Sequence, residues 1–236
     1  MTKKKKLFVL FEIILLFSAF FLPGYLSQGM EVDPGMFNSP RFNIVYILTA
    51  LPQIFLLLYI IYLREGAPSS SRELFANYGL VRPDISLLWK VPVVFLGVLA
   101  LAFSASFVQY LPVQPNIEGF EPVPWRIDNP SVLPLVFITS LVTGYREELF
   151  FRSYLINRIG SIGVKQVPVI LLAALVFSVG HFYQGAAALL GTFSIGCFLG
   201  VLYVRFRNIH MLALGHAFYN FFSLILLPSF SSFLIY

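Results

Sequence analysis

The stretch GYREELFFRSYL, residues 144–155, decides how this chain is read. It packs four formal charges, Arg146, Glu147, Glu148 and Arg152, into a chain of 236 residues that is 58% hydrophobic and only 11% charged. Soluble domains carry about 25% charged residues, and one soluble core of this size cannot hide so much apolar surface. The mean hydropathy of +0.82 agrees. The expected fold is all-α, a polytopic helical bundle in a membrane, and the charges at 146–152 are its anomaly.

Length shows that they are not merely a helix end in water. From Val132 to Thr143 runs 12 residues of apolar helix, about 18 Å at about 1.5 Å per residue. A bilayer core of about 30 Å needs about eight more, which are residues 144–151. An ionisable group at mid-membrane costs about 2.5–3.5 kcal/mol on insertion scales, so such groups face the protein interior and mark function. Glu148 and Arg152 stand four apart, share a helix face and can neutralise one another. Glu147 points about 100° away and is expected to lack a local partner, while Arg146 is expected to snorkel to the headgroups.

Outward from this stretch, apolar runs of spanning length lie near 7–26, 42–63, 90–110, 132–155, 168–185, 186–204 and 209–227. They give about seven transmembrane helices, or eight, in a single membrane domain over 1–236. The run at 186–204 is interrupted by Gly191, Gly196 and Gly200, and the last two form a small-residue face for close packing. Lys3 to Lys6 followed by LFVLFEIILLFSAFFL resembles the start of a signal peptide; without a small-x-small cleavage pattern it reads as a retained first span. With the N-terminus inside, fourteen Lys and Arg collect on cytoplasmic segments and helix ends, against Arg41 and Arg126 outside. The outer loops hold Glu31, Asp33, Glu118, Glu121 and Asp128. Tyr59, Tyr62 and Trp89 mark the inner interface, Tyr110 and Trp125 the outer one. The segment REGAPSSSRELFANYGLVRPDIS opens as a Ser/Pro linker and continues as a short amphipathic piece on the inner surface. No basic face interleaved with aromatics is present, so nucleic acid is not an expected partner. The single Cys197 forms no intrachain disulfide.

Three histidines bear on Glu147. His181 lies in VFSVGHFYQG, His216 in LALGHAFYNFF with Asn220 one turn further on, and His210 at the inner mouth of the last run, where an interfacial role is expected. Counted from the inner boundary, Glu147 is about 12 Å deep, His216 about 10 Å, Asn220 about 16 Å and His181 about 20 Å, the last deeper than its partners. A carboxylate with histidines activates water, directly or through a divalent metal. A histidine and an asparagine can donate to a developing oxyanion. Asp33, Asp84 and Asp128 all fall in loops, which excludes an intramembrane aspartyl dyad. No H-E-x-x-H occurs, and Ser178 and Ser194 lack a glycine-framed nucleophile motif.

EELFFR at 147–152 is E-E-x-x-x-R, FSVGH at 177–181 is F-x-x-x-H, and HAFYN at 216–220 is H-x-x-x-N. In this order on separate helices, the triple resembles the signature of the CPBP (CAAX protease and bacteriocin-processing, or Abi) family, which includes the type II CAAX prenyl endopeptidases. The resemblance covers a core at 140–225. It implies an intramembrane endopeptidase open to the cytoplasm, acting on a membrane-associated peptide or protein. Glu147 and His181 would activate the water, His216 and Asn220 would hold the oxyanion, and Glu148 and Arg152 would brace the first motif. Glu147, His181 and His216 could hold Zn²⁺ or another divalent metal, and the same groups also work as a metal-free Glu/His pair. Ser153 stands where many members have glycine. The competing readings are a non-catalytic scaffold or immunity protein of the same fold, and a transporter using Glu147 as a proton-coupled carboxylate.

Overall fold

The structure is a computed structural model and describes residues 2–26, 33–64, 71–108, 125–181 and 186–231. Glu31, Tyr110, Glu118, Glu121 and the linker at 65–70 lie outside the described residues. Among the described residues every regular element is helical.

The chain opens with α1 (Lys3–Phe20), capped by Thr2, and the short α2 (Leu22–Leu26). Helix α3 (Pro40–Arg64) starts where the Ser39 hydroxyl accepts the Phe42 N–H at 3.2 Å. Pro40 takes the first position, where a missing N–H goes unnoticed. Then come α4 (Ser71–Asn77) and α5 (Leu87–Val108). Pro52 and Pro92 lie inside α3 and α5, as membrane helices tolerate when neighbours satisfy the freed carbonyls. Helix α6 (Leu133–Glu147) runs without a break into a π-helical stretch, Glu148–Ile156, and ends in α7 (Asn157–Gly160). The remaining helices are α8 (Gln166–Val179), α9 (Ala186–Phe206) and α10 (Ile209–Ser231).

Helical structure thus occupies each of the seven apolar runs read from the sequence. Three helical segments, Pro40–Leu63, Leu87–Ala105 and Ala188–Phe206, are long and apolar enough to cross a bilayer; Gln166–Val179 and Ile209–Ile225 are shorter apolar helices. The chain is an integral membrane protein.

Helix α9 is continuous despite its glycines, and they explain its packing. A Cβ at Gly196 would stand 2.9 Å from the Ala174 Cα, and one at Gly200 2.8 Å from Ile170 Cγ2, so α8 and α9 meet backbone to backbone. Between α3 and α6 the contact is polar. Buried Asn43 accepts from the Thr139 hydroxyl, and Thr143 bonds Tyr46, each at 2.9 Å.

Two expectations need correction. The run at 168–185 is not one continuous helix: α8 ends at Val179, Gly180 caps it, and His181 sits in the turn beyond. The segment after α4 does not merely lie on the membrane surface. Tyr78 is buried, its carbonyl accepts the Ser153 hydroxyl at 2.6 Å, and the Gly79 carbonyl accepts the Ile209 N–H at 2.8 Å. Gly79 has φ +77°, a conformation side chains resist. Helix α10 therefore begins under a covering loop, with Ile209 fully buried.

Candidate active site

Gly144 sets the geometry. A Cβ there would lie 2.6 Å from the Ala213 carbonyl oxygen and 3.2 Å from the Ala217 N, so α6 and α10 touch through their main chains. One turn further along, Glu147 and Glu148 are thereby brought to His216, which lies between Ala213 and Ala217 on α10.

Glu148 is completely buried, and its Oε1 accepts the Nδ1–H of His216 at 2.9 Å. The Nη1 of Arg152, itself 2% exposed, lies 3.2 Å from the same oxygen, as the i,i+4 spacing anticipated. The second motif glutamate thus bonds the third motif's histidine, a contact between helices that local spacing cannot reveal. The Arg152 guanidinium carbon stands 4.5 Å over the Phe177 ring, which gives the buried cation an aromatic face. Phe177 also lies 4.6 Å from the His181 ring and 6.1 Å from the His216 ring. The phenylalanine that opens the second motif is therefore the wall between the two histidines.

Glu147 is held more loosely. Its Oε2 is 3.9 Å from His216 Nε2 and its Oε1 3.8 Å from Arg146 Nη2, both longer than a hydrogen bond. This corrects the expectation that Glu147 has no local partner. Arg146 does not snorkel either: it turns inward over the rings of Phe21 at 5.1 Å and Tyr46 at 5.2 Å, with Nη1 3.5 Å from Gln53 Oε1. The Glu147 carboxylate is also within electrostatic reach of His181, Tyr25 and Tyr46. Glu147 therefore lies beside His216, and its charge is also felt at His181.

Hydrogen-bond partners fix the proton on one histidine. His181 Nδ1 lies 2.9 Å from the Phe177 carbonyl, an acceptor only, so Nδ1 carries the hydrogen and the neutral ring offers a lone pair at Nε2. His216 gives its Nδ1–H to Glu148, and it can offer a second N–H from Nε2 only as the imidazolium. Asn220 lies one turn beyond His216, half-buried, and among the described residues its carboxamide makes no hydrogen bond. His210 is set apart: its Nδ1 bonds the Tyr145 hydroxyl at 2.9 Å.

As metal ligands the residues fit only in part. Both rings are braced at Nδ1, as metal-binding histidines are. Among the described residues, however, no three His, Cys, Asp or Glu side chains converge as a ligand set.

Sequence reasoning missed the roles of Gly144 and Tyr25, and it placed Phe177 in the second motif without giving it a contact. An apolar residue on an apolar helix carries no signal of its partner, although the glycine just ahead of the charged run was a readable cue for close approach.

No curated protein and no solved structure matches the chain. The model of the family described as type II CAAX prenyl endopeptidase Rce1-like matches residues 129–222, the stretch that holds all six site residues, so over this part of the chain the family that the three motifs resemble is the one found.

Proposed function

We propose that this chain is an intramembrane endopeptidase whose attacking water is activated by Glu147 and His181. The observation that carries the reading is His216 set between two carboxylates, with Nδ1 fixed by Glu148 and Nε2 turned toward Glu147. Glu147 Oε2 and His181 Nε2 are the two bases. They take the proton as water adds to the peptide carbonyl, and the proton passes to the leaving amine. His216 as imidazolium and the Asn220 carboxamide donate to the oxyanion. Glu148 and Arg152 hold the His216 ring and do not touch the reacting atoms. A divalent ion bound by Glu147, His181 and His216 would lower the pKa of the water. Among the described residues those groups do not close a three-donor set.

The substrate class that fits is a membrane-associated peptide or protein, prenylated or not, reached from the cytoplasmic side of a single seven-span domain with its N-terminus inside. Arg207, just past the end of α9, donates to Asn157 at the start of α7 at 2.6 Å, which supports placing the basic ends of α7 and α9 on one side.

The test is cleavage of a quenched membrane-peptide library by purified protein, with and without chelator. Glu147→Gln keeps the shape and removes the base, so turnover should fall 10²–10⁴-fold, roughly the range of general-base contributions, with peptide binding retained. His210→Ala should cleave normally. A Glu147→Gln protein with wild-type turnover would defeat the mechanism.

A further inference from the structure

Tyr25 lies outside the stretch that matches the family model, yet it reaches the site. It comes from α2, the short helix that follows α1. Its hydroxyl donates to the Val176 carbonyl near the end of α8. That carbonyl is among the last four of the helix, which have no main-chain donor of their own; the Gly180 N–H, which would serve it in a longer helix, turns to Ser178 O instead. The phenol ring is seated on Gly180: a Cβ there would stand 2.7 Å from Tyr25 Cε2 and Cζ and 2.8 Å from its oxygen. Phe17 braces the other side of the ring edge-on at 5.0 Å.

The next residue is His181. Its Nδ1–H bonds the Phe177 carbonyl, so the two carbonyls at 176 and 177 are served by two side chains, one from α2 and one from the site itself. On the opposite face Phe177 packs on Phe151 at 5.3 Å. The turn that presents His181 is thus clamped between the π-helical stretch and Tyr25. The Tyr25 hydroxyl also lies within electrostatic reach of Glu147.

We infer that Tyr25 is a positioning residue for His181: the N-terminal helices serve the site by fixing the end of α8 through one phenol. This rests on the endopeptidase reading for its kinetic consequence, but not for its structural one. It acts through Val176 and Gly180, and it takes no part in proton transfer.

Two variants attack the contact from opposite sides. Tyr25→Phe removes the hydroxyl and keeps the ring; Gly180→Ala keeps the hydroxyl and displaces the ring. Each should lower kcat about tenfold and alter the pH profile of kcat, with KM within about twofold, and the double variant should be no worse than the weaker single. Independently of cleavage, diethyl pyrocarbonate modification of His181, followed by mass spectrometry with His210 as internal reference, should quicken several-fold in both variants. Wild-type kcat, pH profile and modification rate in Tyr25→Phe would overturn the assignment. So would a loss of kcat that tracks only a lowered Tm, with His181 modified at the wild-type rate. If wild-type protein cleaves no peptide, the endopeptidase reading fails while the modification rate still decides the role of Tyr25.

Discussion

Removing Arg152 and removing Glu148 should not cost the same. Both side chains are at most 2% exposed and their charged atoms lie 3.2 Å apart. At an effective dielectric of about 20 that separation corresponds to about 5 kcal/mol of attraction, set against the desolvation of both ions. Breaking one partner of such a pair costs about 3–5 kcal/mol. At about 2–4 °C per kcal/mol for a chain of this size, the melting temperature in detergent should fall by roughly 6–20 °C. The asymmetry comes from His216. In Arg152→Met the Glu148 carboxylate keeps the His216 Nδ1–H at 2.9 Å, so the loss belongs near the lower end. In Glu148→Gln the buried guanidinium keeps only aromatic faces, Phe177 at 4.5 Å and Phe151 at 5.8 Å, and neither Nη of Arg152 makes a hydrogen bond among the described residues. That loss belongs near the upper end. The double variant Glu148→Gln/Arg152→Met removes both charges and should recover part of it. Thermal unfolding followed by tryptophan fluorescence or scanning calorimetry supplies all four corners of the cycle. Strictly additive losses, or a larger loss in Arg152→Met than in Glu148→Gln, would refute the pairing as described.

Gly144→Ala should force α6 and α10 apart, because the new methyl would stand 2.6 Å from a main-chain oxygen. A destabilisation of about 1–3 kcal/mol is expected from overpacking and, if Glu148 and His216 separate by about an ångström, a drop of about a hundredfold in turnover; unchanged turnover would show that this helix contact does not set the site. The orientation is tested by Ser161→Cys, in the exposed turn after α7, in a Cys197-free background. It should resist an impermeant thiol reagent in intact cells and react once the membrane is opened, and labelling from outside would invert the topology.

What the sequence made legible was whatever one helix carries by itself. The Glu148–Arg152 pair follows from i,i+4 spacing, and the Gly196 and Gly200 face from small residues one turn apart; both are found. The depth count set His181 apart from Glu147 and His216 because it treated 168–185 as one straight span, whereas α8 ends at Val179 and His181 sits in the turn beyond. What stayed hidden depends on partners from other helices. The bond from Glu148 to His216 joins residues 68 apart, and that from Tyr25 to Val176 joins residues 151 apart. Arg146 was misread for a related reason. Its stem was expected to reach water, but the aromatic faces of Phe21 and Tyr46 stand nearer.

The π-helical stretch has a consequence for how this protein tolerates change. All nine residues from Glu148 to Ile156 are buried, so the segment has no side turned to lipid. Its i→i+5 bonds enclose one more residue in each hydrogen-bonded ring than the i→i+4 bonds of an α-helix. Deleting a single residue anywhere in 149–151 would let the chain relax to ordinary α-helix while swinging the glutamates out of phase with Tyr154 and Arg158, which α1 grips through Glu12 at 2.7 and 3.0 Å. An ordinary amphipathic helix absorbs mutation on its outer face. This one has none, and a saturation scan across it should return nine intolerant columns in a row, with no periodic relief.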